Sequence, residues 1–132
     1  MSDRHATTVG SVAGLRAMRR RLAEWLGELG VDLPLFVADV QLATVEVVTN
    51  AFVHSSAASV DVSLEIVGDD VVATIAHQSA IPTPLNEPTA LPGDDSATGR
   101  GLFVVDQIAR ARTVFHTAGA STIRLDIPLP SV

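Results

Sequence analysis

The stretch Ala43–Ser55, ATVEVVTNAFVHS, decides the fold. Within it Glu46, Asn50 and His54 recur at every fourth residue of an otherwise apolar run. An α-helix has 3.6 residues per turn, so positions four apart stand nearly one above the other, drifting by about 40° per step. The segment therefore predicts a helix carrying a carboxylate, a carboxamide and an imidazole in one column, flanked by Val45, Val47, Val48, Phe52 and Val53. Partly buried polar groups need partners, and a column of three asks for a shared one. Three capped or solvated side chains on an amphipathic helix would give the same spacing, so the choice rests on residues further along.

Toward the N-terminus this helix extends back to about Pro34, a residue suited to the first helical turn, with Asp32 or Leu33 before it. Its β-branched residues Val37, Val40, Thr44, Val45, Val47, Val48 and Thr49 are poor helix formers, so tertiary packing must hold it. An earlier helix follows from Val12, Leu15, Met18, Leu22, Trp25, Leu26 and Leu29 at three- and four-residue spacing, closed by Gly30. Trp25 reads as core or rim packing there. Residues 1–8 are expected to be loose or a short edge strand.

Toward the C-terminus the period falls from 3.6 to 2. Val60, Val62, Leu64 and Ile66 alternate with Asp61, Ser63 and Glu65, a strand with one wet face. After the turn Gly68-Asp69-Asp70 a second strand runs from Val71 to His77, completing an antiparallel hairpin. Between Gln78 and Thr98 lie Pro82, Pro84, Pro88 and Pro92 with Gly93-Asp94-Asp95, which forbid helix and central strand alike. So long a connection is expected to be a functional lid, residues 78–98. A third helix opens at Gly99-Arg100-Gly101-Leu102 and is expected to end near Arg112, and Thr113–Thr117 with Ser121–Pro128 form a last hairpin. Helices that each bury one face over hairpin strands predict a single domain, 1–132. The expected fold class is α/β: a two-layer sandwich whose mixed, mainly antiparallel sheet is covered on one face by three helices.

Composition narrows the function. The 132 residues carry 15 acidic and nine basic groups, a net charge of −6, which argues against a nucleic-acid surface. Arg16, Arg19, Arg20 and Arg21 are the only dense basic cluster and read as a solvated helix face. There is no cysteine, so disulfides, thiolate zinc sites and cysteine nucleophiles are excluded together. Every basic residue is Arg, which excludes a Schiff-base or phosphate-binding lysine. With no signal-like segment and no apolar run read as long enough for a membrane span, the expected location is cytoplasmic, with no membrane partner.

Gly99-x-Gly101 at a helix start lets a backbone approach an anion, where first-turn N–H groups are free. Glu and Asn one turn apart, a hairpin, a proline-rich lid and a glycine helix start together describe a nucleotide pocket with a metal. Here the chain resembles the GHKL ATPase superfamily with its Bergerat-type ATP-binding fold, and within it the small RsbW-like anti-sigma factors that are also protein serine kinases. ATVEVVTNAFVHS is similar to their N box, TGRGLFVVDQIA to their glycine-rich box after the lid, RAMRRRLAEWL to their first helix and STIRLDIPLP to their closing strand.

The resemblance implies ATP or ADP with Mg²⁺ as cofactor. It implies Glu46 as general base, Asn50 as Mg²⁺ ligand, and Thr98, Gly99, Arg100, Gly101 and Leu102 around the phosphates. It puts the hydroxyl of Ser121 or Thr122 on the adenine side, with His77 and Ser79 beside it, and gives His54 a structural role at the site. Its implied partners are a sigma factor and a STAS-domain anti-sigma antagonist, and its implied assembly a homodimer. One box departs from the family: an Asp-x-Gly-x-Gly whose aspartate accepts from the adenine amino group is replaced by His77-Gln78-Ser79-Ala80-Ile81. A hydrogen bond to a charged acceptor is worth roughly 1.5–3 kcal/mol, so a docking module of the same fold with weak or absent ATP binding is the alternative. A zinc site of His54, His77 and Glu46 is disfavoured, because His54 and Glu46 stand two turns apart.

Overall fold

The computed structural model describes residues 4–78, 97–117 and 119–130, with backbone alone at 97–100 and 117. Strand β1 (His5–Val9) leads through a 3-10 turn (Val12–Gly14) into α1 (Leu15–Glu28) and α2 (Pro34–His54). Strands β2 (Val60–Val67) and β3 (Asp70–Gln78) follow, then α3 (Ala97–Ile108), β4 (Ala111–Thr117) and β5 (Ala120–Pro128). The sheet has five strands in the order β1-β2-β3-β5-β4.

Every pairing in it is antiparallel. The expected mixture is absent for a topological reason. β3 and β4 run the same way, but β5 is inserted between them and pairs antiparallel with both. Of the two expectations for the N-terminus, loose or a short edge strand, the described residues show the strand: β1 is in register with β2 from His5↔Leu64 to Val9↔Val60. The His5 ring stacks on Trp25 at 5.6 Å, which ties this edge to α1.

Strand alternation puts Val60, Val62 and Leu64 of β2, Val71, Ala73 and Ile75 of β3, and Ile123, Leu125 and Ile127 of β5 on one buried face. Met18, Leu22 and Leu26 of α1, Val40, Val47 and Val48 of α2 and Val105 of α3 close the core above them. Eight β-branched residues cost α2 roughly 0.5 kcal/mol each relative to Ala. Burying Val40, Val47 and Val48 completely returns about 1.5–3 kcal/mol each, so packing wins over propensity. By length and composition α2 is also apolar enough to cross a membrane, contrary to the expectation that no segment is; here its inner side lies in the core.

Helix ends follow local chemistry. Gly30 at φ +87° closes α1, with Gly30 N–H donating to Gly27 and Val31 N–H to Leu26, while Val31 packs beside Leu26 in the core. α3 stops at Ile108, earlier than its apolar period predicts, because Arg110 N–H already donates to the Asp126 carbonyl of β5. Arg112, expected at the helix end, belongs to β4 and reaches back to Asp106 in two contacts of 2.8 and 3.1 Å. The expected lid lies, apart from Gln78, Ala97 and Thr98, outside the described residues.

Candidate functional site

The column read from the sequence exists as a helix face. Glu46 is half-buried and Asn50, one turn on, is 6 % exposed. α2 packs on α3, and Gly101 of α3 lies against Glu46 of α2. A Cβ at Gly101 would overlap Glu46 Oε2 and come within 3.3 Å of the carboxylate carbon. Glycine leaves room there for its neighbour: the Glu46 carboxylate occupies the space that a side chain would take unless it moved aside.

α3 begins at Ala97, earlier than the expected opening at Gly99. Thr98, Gly99 and Arg100 therefore lie in its first turn, where N–H groups lack helical partners and an anion is favoured. Gly101 and Leu102 stand one step deeper. Leu102 is buried in the core, so its side chain serves packing, and Gly101 serves the approach of Glu46. Nothing but the helical backbone is described at Thr98, Gly99 and Arg100.

Asn50 Nδ2 is buried without a hydrogen-bond partner. An unpaired buried amide costs free energy, which a ligand at the site would return. The unpaired atom is the amide nitrogen, a donor suited to a ligand oxygen, which leaves Oδ1 as the atom a metal would use. An Asn side-chain oxygen is a hard donor suited to Mg²⁺, with a carboxylate one turn away and free N–H groups opposite for phosphate oxygens. The residues present fit a metal-bound polyphosphate. Among the described residues, no group of three or more His, Asp or Glu could hold a metal on side chains alone.

His77 is 4 % exposed and stands one residue before the end of β3, with Nδ1 3.4 Å from the Gln78 carbonyl oxygen and Nε2 buried and unpaired. Its register partner is Ser121 of β5, on the same buried face. Thr122 pairs with Ala76 and belongs to the opposite face, so of the two hydroxyls only that of Ser121 shares a face with His77. His116 of β4 is also opposite Ser121, its Nδ1 3.0 Å from Ser121 Oγ. A row His77–Ser121–His116 thus crosses three strands. His116 is missing from the sequence reading, although the pairing of Thr117 with Ala120 places residue 116 opposite 121 by simple counting. His54 is exposed at the last turn of α2, two turns from Glu46, and Ser79 lies outside the described residues.

An antiparallel sheet under three helices, with a Glu/Asn column on one helix facing the glycine-bearing start of another, defines a histidine-kinase-like ATPase fold. The chain belongs to the histidine kinase-like ATPase domain family, which it matches over residues 10–127. Its fold is similar to that of the RsbU and RsbW domains of Rv1364c from Mycobacterium tuberculosis, at a TM-score of 0.67 and 23% identity. That match covers 96% of this chain and 33% of the other, so the chain spans about a third of that length.

Proposed function

We propose that this chain is an RsbW-like regulator that binds ATP or ADP with Mg²⁺, sequesters a sigma factor and phosphorylates a serine of a STAS-domain antagonist. The observation that carries the reading is the contact of the Glu46 carboxylate with Gly101, with the unsatisfied Asn50 amide one turn away. Mg²⁺-nucleotide, when bound, supplies the transferable phosphoryl group and neutralises its charge. Glu46 accepts the proton of the attacking serine hydroxyl, as a carboxylate held within hydrogen-bond reach can at neutral pH. Asn50 would hold the metal through its side-chain oxygen, and the first-turn N–H groups of α3 would orient the phosphates. His77 and Ser121 face the base. The setting is cytoplasmic and the working unit a homodimer.

A second reading, docking alone, draws on His77. Its imidazole stands where the family has an acid, and its Nε2 has no partner. Calorimetric titration with Mg²⁺-ADP separates the two: submillimolar binding is expected, and no binding refutes the nucleotide reading. Glu46→Ala is then expected to abolish transfer to a STAS partner while the protein stays folded; transfer at the wild-type rate would remove Glu46 from its role.

A further inference from the structure

α2 has a third side that neither the core nor α3 uses. Leu35 is 85 % exposed, Val53 60 % and Leu42 44 %. At 3.6 residues per turn these three fall within about 20° of one line along the helix, spanning roughly 27 Å. Exposed Ala38 and half-buried Val45 and Thr49 widen the stripe on one edge, and Asp39 and Glu46 bound it on the edge toward α3. Single exposed apolar residues are ordinary; a row of them along a helix marks an interaction surface.

The other edge is basic. Gln41 Nε2 donates to the Arg19 carbonyl oxygen at 2.8 Å, which sets α1 alongside this part of α2. Arg16, Arg19 and Arg20 of α1 are exposed, and none has an ion pair among the described residues. In a chain of net charge −6 these cations gather beside the apolar stripe, against Glu24 and Glu28 on the same helix, of which Glu28 meets His5.

We infer that the outward stripe of α2, with the α1 arginines beside it, docks an acidic amphipathic helix of a partner protein. Apolar residues of the partner at three- and four-residue spacing cover Leu35, Leu42 and Val53, and its carboxylates face Arg16, Arg19 and Arg20. The stripe excludes a nucleic-acid backbone, which would need cations along its whole length. The inference goes beyond the nucleotide reading and does not depend on it, because none of these side chains is assigned to the phosphate, metal or base sites.

The probe is a fluorescein-labelled designed peptide of about five helical turns with leucines at i, i+3, i+4 and i+7 and glutamates elsewhere, compared with the same peptide carrying lysine for glutamate. Saturable anisotropy is expected for the acidic peptide, weakening with added salt, and at least tenfold weaker binding for the lysine peptide. The double variant Leu35→Asp/Leu42→Asp and the triple variant Arg16→Glu/Arg19→Glu/Arg20→Glu should each lose at least tenfold in affinity. Both should keep the wild-type circular dichroism and the wild-type response to Mg²⁺-ADP. Equal affinity for the two peptides, or undiminished binding by either folded variant, overturns the inference. So does absence of peptide binding, and either of two other results would then give the stripe another occupant. One is cosedimentation with phosphatidylserine vesicles, which would assign the stripe to a membrane surface. The other is self-association lost in Leu35→Asp/Leu42→Asp, which would assign it to a second copy.

Discussion

Gly101→Ala separates folding from function at the contact that carries the proposed chemistry. The added methyl would overlap Glu46 Oε2, the far end of a flexible, half-buried side chain, so the carboxylate rotates away while the backbone stays. Ala is favoured over Gly inside a helix by about 0.8–1 kcal/mol, and holding Glu46 off its preferred rotamer costs about 0.5–1.5 kcal/mol. The two nearly cancel. Net stability should change by less than about 1 kcal/mol, a melting shift of a few degrees at this size. Catalysis has no such compensation. A displacement of about 1 Å in a positioned group can cost on the order of 100-fold in rate. The assay is transfer of radiolabelled phosphate to a STAS substrate in single turnover, beside thermal melting and Mg²⁺-ADP calorimetry. Transfer should fall about 100-fold with the melt nearly unchanged. Unchanged transfer would show that Glu46 need not touch the start of α3, and the reasoning from that contact would fail.

His77→Asp restores a charged acceptor beside Ser121 and should tighten Mg²⁺-ADP binding roughly 10- to 100-fold, the equivalent of 1.5–3 kcal/mol, by calorimetry. Unchanged affinity would mean that the base does not reach β3. Thr44 is fully buried with its hydroxyl unpaired, so Thr44→Val removes a desolvated group at nearly constant volume and should stabilise the fold by about 1 kcal/mol in urea denaturation. A loss of stability would reveal a partner for that hydroxyl. Asp106→Asn breaks the two-point contact with Arg112, whose side chain is 7 % exposed, and should cost roughly 1.5–3 kcal/mol in the same assay. A cost below about 0.5 kcal/mol would mean that other contacts of Arg112 carry the join between α3 and β4.

The parts legible in the sequence are those where one period dominates a segment. Alternation from Val60 to Ile66 and from Ser121 to Ile127 is uninterrupted, and both segments are strands. The Glu46/Asn50 column is likewise a local repeat that survives folding unchanged. Strand β1 lacks such a signal: His5, Thr7 and Thr8 read as polar surface, and what makes them a strand is an unpaired β2 edge and the face of Trp25, both distant in sequence. The end of α3 was similarly hidden, since the helical period continues to Arg112 and is cut only by hydrogen bonding to β5. Choosing Ser121 over Thr122 was within reach, because Ile123, Leu125 and Ile127 already assign odd positions of that strand to the buried face. His116 needed the register of the hairpin as well as its existence. The approach of Glu46 to Gly101 depends on how two helices pack, which no single-segment pattern contains.

That approach also bears on charge. The start of α3 offers partial positive charge, and one turn further in, at Gly101, the helix meets the Glu46 carboxylate. A polyphosphate placed there brings further negative charge beside a half-buried carboxylate, in surroundings that screen less than water. Under the proposed function a cation beside both would offset this repulsion, and Asn50, on the same face one turn away, would be a neutral oxygen donor for it. Asn50 adds no charge of its own, so the balance among carboxylate, phosphate and metal is left to the ligand. The proposed function therefore predicts that nucleotide binding at this site depends on divalent metal.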